Sequence, residues 1–228
     1  MADKKLNILV TGATGLVGAE VVRQALENTD IAQVTAIVRR PLDISHPKLK
    51  TIIHTDFTDY ASLTEVFKSA HACLWCLGIS PTLVSKEEYV TTTYTYALAG
   101  AKAILEARPS IAFVFLSGMG ADSTEKSRTL FASVKGKTEN ALQKLPFQRL
   151  YIARPGGIIP IHKRLKATLT ERIITPILPL IKAISPTSVI TSVQLAKAML
   201  HLSAYGSDKV IHDNKELISI LGKQLAEA

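Results

Sequence analysis

The stretch Leu6-Asn7-Ile8-Leu9-Val10-Thr11-Gly12-Ala13-Thr14-Gly15-Leu16-Val17-Gly18 constrains the fold more than any other part of the chain. The apolar run from Leu6 to Val10 reads as a buried strand that ends in a glycine-rich turn. Apolar residues then recur at helical spacing, at Leu16, Val17, Val21, Val22, Ala25 and Leu26. Strand, glycine turn and helix, in that order, are the setting in which a phosphate-binding fingerprint is credible. Gly12 suits a tight turn, Gly15 a close approach of backbone to a pyrophosphate, and Gly18 close packing of helix on strand. Amide N–H groups at the helix start would face the phosphates, and the helix dipole adds to the attraction. The alternative is a βα turn that simply needs glycine.

Taken in order, the rest of the chain alternates strands and helices. Gln33 to Val38 reads as the second strand and runs into Arg39-Arg40-Pro41. An acidic residue at this strand end would bond the adenosine ribose hydroxyls and repel a 2′-phosphate. None is present, and a guanidinium pairs with a phosphate through parallel hydrogen bonds. NADP(H) is therefore expected over NAD(H), with Arg39 the first contact and Arg40 the second; a pair of solvated arginines is the alternative. Thr51 to His54 reads as a third strand, Asp59 to Ala70 as a helix, and Ala72 to Leu77 as a fourth strand reaching Gly78. A long helix is expected from Glu87 to Ala107, closed by Arg108-Pro109. Ile111 to Leu116 is an unbroken apolar strand ending at Ser117, as buried parallel strands are. Ser127 to Leu145 reads as a helix and Phe147 to Ala153 as a strand leading to Arg154-Pro155-Gly156-Gly157.

This pattern predicts an α/β fold, a doubly wound parallel sheet of Rossmann type with a small C-terminal cover. We expect a single domain over 1–228, with a cofactor-binding core at about 1–157. Ile158 to Ile190 would form the cover; Ser192 to Leu202 (helix), Lys209 to His212 (strand) and Asn214 to Leu225 (helix) would complete the chain. Ligands of such sheets lie beyond the carboxyl ends of the strands. Gly12, Gly78, Ser117 and Arg154 all fall at such ends.

Composition narrows the function classes. At 228 residues, 47% hydrophobic and 20% charged, the chain can bury a sizeable core and is not disordered. Residues 1–5 lead into the first strand without an apolar signal region, and the apolar stretch 173–190 is broken by Pro176, Pro179, Lys182 and Pro186. No transmembrane segment is expected. Cys73 and Cys76 lie within an apolar run, which suits buried, reduced thiols and a cytoplasmic protein, and no further Cys/His pair completes a metal site. The net charge is +8, and the local basic cluster is His162-Lys163-Arg164 with Lys166 and Arg172. It lacks interleaved aromatics, so no nucleic-acid partner is expected. It reads as a solvated lid face, or else as a contact to an acidic substrate or a membrane surface.

Residues from Asn7 to about Ile159 resemble the atypical short-chain dehydrogenase/reductases. The closest branch is the Tat-interacting-protein-like group of NADP-binding proteins, also described as epimerase/dehydratase-like. The matching pieces are Thr11 to Gly18, Val38-Arg39-Arg40, Asp56, Leu116-Ser117, Val134-Lys135-Gly136 with Glu139, and Ala153-Arg154-Pro155-Gly156. The resemblance implies cofactor contacts from Thr11, Gly12, Thr14, Gly15, Leu16, Val17 and Gly18. It places Asp56 on the adenine amino group, with the side chain or backbone of Phe57 on the ring. Cys76, Leu77 and Gly78 would lie beside the nicotinamide ribose and pyrophosphate, and Lys135, Arg154, Pro155 and Gly156 would complete the set.

Active members of this superfamily carry Tyr-x-x-x-Lys on one helix face. The tyrosine moves the proton, the lysine binds the ribose and lowers the tyrosine pKa, and a serine bonds the substrate oxygen. Here Ser117 and Lys135 match, but Phe131 stands where the tyrosine would be. Three readings follow. The protein is an oxidoreductase that uses another acid, such as Tyr94, Tyr96, Tyr89 or a water on Ser117. It is a catalytically silent NADP(H)-binding regulatory or sensor protein. Or it passes hydride directly to a flavin-like or quinone acceptor. The bland alternatives are a turn cap for Ser117, a loop or cap carboxylate for Asp56, a solvated helix position for Lys135 and core packing for the tyrosines. The substrate would be a small molecule, and a homodimer through the helices flanking the fifth strand is a further expectation.

Overall fold

The computed structural model describes residues 5–162 and 185–226. The elements run β1 (Leu6–Thr11), α1 (Leu16–Glu27), β2 (Ile31–Val38), β3 (Leu49–Ile53), a 3-10 turn (Ala61–Leu63) leading into α2 (Thr64–Ser69), and β4 (Ala72–Trp75). There follow α3 (Lys86–Val90), a π turn (Thr91–Thr95), α4 (Tyr96–Ala107), β5 (Ala112–Leu116), α5 (Leu130–Gln143), β6 (Arg149–Arg154) and β7 (Gly157–Ile159). The last are β8 (Val189–Thr191), α6 (Ser192–Tyr205), β9 (Ile211–Asp213) and α7 (Asn214–Ala226).

Seven strands form one sheet in the order β3-β2-β1-β4-β5-β6-β9, and every pairing is parallel. The chain winds outward from β1 in one direction and, after β4, in the other. The switch point therefore lies between the carboxyl ends of β1 and β4, the place where open α/β sheets bind ligands. β7 and β8 form a separate two-stranded parallel sheet, which is the described part of the expected cover. Residues 163–184 of that cover, including most of the basic cluster and Pro176 and Pro179, lie outside the described residues.

Both faces of the sheet are buried, and the strands alternate between two cores as the pleat requires. Ile8, Val10, Leu74, Cys76, Ala112 and Val114 face one core, together with Val21 and Val22 of α1, Leu195 and Met199 of α6 and Leu217 of α7. Leu9, Cys73, Trp75, Phe113 and Phe115 face the other, with Phe67 of α2, Ala101 and Ile104 of α4 and Leu142 of α5. Cys73 and Cys76 therefore point to opposite faces and are free and buried, as reduced structural thiols are. Burial pushes both thiols well above their ordinary range, so neither is a nucleophile near neutral pH.

The structure departs from the expected boundaries in two helices. The helix expected to run unbroken over 87–107 contains the π turn, at the β-branched run Thr91-Thr92-Thr93. The helix expected from Ser127 begins at Leu130. The preceding residues are held in a turn by the Asp122 carboxylate, which accepts from the backbone N–H groups of Thr124, Lys126 and Ser127. Those hydrogen bonds hold its pKa below the usual carboxylate value, the Thr124 hydroxyl being the largest contributor.

The single tryptophan, Trp75, is fully buried, and the far edge of its ring lies against α4 at Gly100. A Cβ at Gly100 would collide with the Trp75 ring. Gly100→Ala is therefore expected to cost about 1–3 kcal/mol by overpacking. Chemical denaturation checks this, and a stability equal to wild type contradicts the packing described.

Candidate active site at the sheet switch point

The turn after β1 is built against the end of β4. Gly12 has φ +65°, a left-handed conformation that favours glycine, and a Cβ there would come within 2.5 Å of the Cys76 carbonyl oxygen. A Cβ on Gly18 would collide with the Gly12 carbonyl oxygen, so α1 packs directly on the turn that precedes it. The Leu77 N–H donates to Thr11 Oγ1 at 3.2 Å and ties the two strand ends together. Gly15, extended at φ −80°, ψ 170°, is the N-cap of the twelve-residue helix α1. No side chain caps that helix and no acidic residue stands in its first turn. An uncapped helix start with a positive dipole end at the switch point suits an anion. Thr14 is exposed and Leu16 half-buried at this edge, while Val17 turns into the core. Among the described residues, a Cβ at Gly78 would meet nothing, so none of them fills the position beside Leu77.

Arg39 and Arg40 are both exposed at the carboxyl end of β2, and no carboxylate pairs with either among the described residues. Asp56 is exposed, and its carboxylate accepts from the N–H of Thr58 at 2.9 Å and from its hydroxyl. These bonds hold its pKa below the usual value, the Thr58 hydroxyl contributing most. The Phe57 side chain is buried among His54, Tyr60 and Tyr96. The residue is 2% exposed, so its ring is held in the core and not at the surface.

At the carboxyl ends of β5 and β6 four side chains meet. The Ser117 hydroxyl donates to Glu139 Oε1 in a short hydrogen bond. The Arg154 guanidinium grips both oxygens of Glu139 and donates to Ser123 Oγ at 2.9 Å. Glu139 is fully buried, and its pairing raises the Arg154 pKa above the ordinary value. Lys135, one helical turn before Glu139, is also buried; its Nζ donates to the Leu116 carbonyl at 2.8 Å and lies over the Phe115 ring, 4.7 Å from its centroid. Burial brings the Lys135 pKa down to about 8, against the opposing pull of Glu139 and Cys76. Lys135 is thus no solvated helix lysine.

The remaining expected residues are placed as follows. Phe131 is half-buried, with the far end of its ring against Gly118. The Tyr94 ring lies under Lys137 Nζ, 4.7 Å from its centroid. Lys137 is exposed and lies about 200° around α5 from Lys135, so Tyr94 is not on the lysine's face. Tyr96 packs on Phe57, at 5.7 Å between ring centroids. Tyr89 is buried, and burial raises its pKa. The Pro155 carbonyl accepts from the Met119 N–H at 2.7 Å. The Gly156 N–H donates to Asn214 Oδ1 at 2.7 Å, and a Cβ there would strike the Ser188 carbonyl, so this glycine joins the cover to α7. His162, the described member of the basic cluster, lies 2.8 Å through Nδ1 from the buried Glu20 carboxylate of α1. Burial pushes the Glu20 pKa up, but hydrogen bonds from Arg23, Gln24 and His162 outweigh it and hold the value low.

Glu139 was not among the expected site residues. The signal for it was present: a charged residue four positions after Lys135, on the helix face that buries Thr138 and Leu142. Among the described residues no three His, Cys, Asp or Glu side chains gather as a metal site, and no helix is long and apolar enough to cross a membrane.

Comparison with known proteins agrees with this geometry. A family model described as NAD(P)H-binding matches residues 12–154. The chain is similar to Leucinostatins biosynthesis cluster protein T of Purpureocillium lilacinum, 31% identical over 67% of this chain and 58% of that protein. It is 30% identical to the protein FMP52, mitochondrial, of Candida albicans over 69% of each chain. It is 27% identical to HTATIP2 of Rattus norvegicus over 67% of this chain and 63% of that one. This chain thus spans less than two thirds of the first and last of these relatives. Among solved structures, an oxidoreductase of the short-chain dehydrogenase/reductase family from Burkholderia thailandensis superposes with a TM-score of 0.70, 17% identity and 98% coverage of both chains. A short-chain dehydrogenase from Burkholderia cenocepacia in complex with NADP gives 0.65 at 19% identity, over 99% of this chain and 94% of that one. The Bordetella bronchiseptica enzyme WbmF in complex with NAD+ gives 0.67 at 14% identity, over 96% and 78%.

Two outcomes test the site. Arg154→Met leaves the buried Glu139 carboxylate unpaired and is expected to cost about 3–5 kcal/mol; Arg154→Met with Glu139→Met is expected to recover most of it in a denaturation cycle. Lys135 titrates near 8 folded and near 10.4 unfolded, so the unfolded chain holds more protons between these values. The cost of its burial is therefore fully present below about pH 8 and fades as pH rises toward 10.4. Lys135→Met should gain stability over wild type at pH 7, and the gap should close across that window.

Proposed function

Because the chain belongs to the NAD(P)H-binding family, we propose that it is an NADP(H)-dependent oxidoreductase of the atypical short-chain dehydrogenase/reductase type, acting on a small molecule. The observation that carries this reading is the uncapped N-terminus of α1 at the switch point, flanked by Arg39 and Arg40 and by no acid at the β2 end. The donor set suits a dinucleotide. Amides of the Gly12–Gly18 turn would hold the pyrophosphate, Arg39 and then Arg40 the 2′-phosphate, and the open backbone at Leu77 and Gly78 the ribose nearer the nicotinamide. Asp56, at the β3 end, is left for the adenine amino group. A bound nicotinamide supplies or accepts the hydride.

The chain's own residues would position the substrate. Ser117 lies beside Lys135 at the end of β5, fixed from behind by Glu139 and Arg154. Phe131 contributes no proton, which is what favours a silent binding protein. Against that reading stands a buried amine whose basicity is brought close to neutral pH, a costly feature that nucleotide binding alone does not require. The two free, buried cysteines suit a reducing compartment such as the cytosol; cell fractionation would distinguish that from a mitochondrial location.

Calorimetric titration with NADPH and NADH tests the cofactor assignment. Wild type is expected to prefer NADPH. Arg39→Ala is expected to weaken NADPH binding about tenfold or more, the loss of roughly 1.4 kcal/mol or more of phosphate pairing, and to leave NADH nearly unchanged. Equal loss for both nucleotides would remove Arg39 from the phosphate site.

A further inference from the structure

We propose that Lys135 is the proton carrier of this site, its ammonium giving the substrate oxygen the proton that accompanies hydride transfer. The inference rests on the oxidoreductase reading above and deepens it by naming the acid.

The groups gathered at the ends of β4, β5 and β6 differ in whether they have a proton to give. Ser117 has one hydroxyl proton, and Glu139 holds it. Glu139 is clamped by Arg154 and only accepts. Arg154 is made still more basic by that pairing and does not release a proton. Burial raises the Cys76 thiol to about 12. Phe131 has no proton to give, Tyr94 is turned to Lys137 and Tyr96 to Phe57, and burial raises the Tyr89 phenol above its ordinary value. Among the described residues Lys135 remains. One of its three N–H groups is anchored on the carbonyl of Leu116, the residue before Ser117, so Nζ and Ser117 stand at the same strand end.

Among the described residues, the charged and titratable groups that face Lys135 are Glu139 on its own helix and Cys76 just past β4, and β5 presents the Phe115 ring and the Leu116 carbonyl. Burial outweighs the charge of Glu139 and brings the amine to about 8, near the value at which a general acid is both protonated and willing to release its proton. The committed Ser117 proton has a corollary: Oγ offers only lone pairs, and so accepts from a hydroxyl once the substrate oxygen is protonated.

In the reducing direction the steps balance. The substrate carbonyl carbon gains a hydride from the reduced dinucleotide, the C=O π pair moves onto oxygen, and that oxygen forms its O–H bond with a proton from Lys135. An alcohol, the oxidised dinucleotide and a neutral amine result, and solvent reprotonates the amine.

The test needs no substrate. Titration calorimetry of NADPH and NADP+ at pH 8, in two buffers of different ionisation enthalpy, counts the protons exchanged on binding. The positive charge of the oxidised ring disfavours a neighbouring ammonium, and the reduced ring does not. Wild type is expected to take up more protons with NADPH than with NADP+. The difference should vanish in Lys135→Arg, which keeps the charge but cannot titrate, and in Lys135→Met. If binding persists and the difference is unchanged in both variants, the proposal is overturned and the cofactor reading stands; if neither nucleotide binds wild type, the cofactor reading falls and takes the proposal with it. Lysine-selective carbon NMR of the nucleotide-free protein supplies an arm that does not depend on binding by the variants. A resonance absent from both variants should titrate with a midpoint near 8, and a midpoint near 10.4 would overturn the proposal.

Discussion

Backbone meets backbone where the β1–α1 turn crosses the end of β4, and the rest of the molecule is arranged around that contact. The Gly12 carbonyl lies against Gly18 of α1, and Gly12 itself lies against the Cys76 carbonyl. No side chain can be inserted at either place. The consequence is a helix start held at the reversal of the sheet with its amides uncapped. The dense packing of both cores holds this arrangement rigid, because two apolar faces fix β1 and β4 in register.

A second constraint lies across the switch point and is electrostatic. Glu139 is fully buried; among the described residues Arg154 and Ser117 donate to it, and the charge of Lys135 also attracts it. Such a pair contributes little net stability but is costly to break. Its effect is to fix three side chains from α5, β5 and β6 relative to one another. Lys135, one turn away on the same helix face, inherits that rigidity. A strained electrostatic arrangement of this kind, a buried amine beside a satisfied carboxylate, is more often found at a working site than in a purely structural core.

The sheet was legible in the sequence because its strands are apolar on both faces and its helices are amphipathic. The switch-point turn was legible because glycine spacing reports backbone geometry directly. Side-chain partnerships were less so. That Arg154 is engaged by Glu139 and Ser123 depends on three segments brought together only by folding. That Phe57 keeps its ring in the core depends on His54, Tyr60 and Tyr96 surrounding it. The π turn and the late start of α5 were hidden for a local reason: the π turn falls on the β-branched run Thr91–Thr93 and the Asp122 carboxylate takes the N–H groups ahead of α5, while the hydrophobic period runs through both unchanged.

We place a dinucleotide phosphate at the uncapped start of α1, and backbone amide NMR during addition of NADPH would show whether it sits there. The largest shifts are expected on the amides from Gly12 to Gly18, with a second group at Leu77 and Gly78. Saturable binding with those amides unmoved would contradict it.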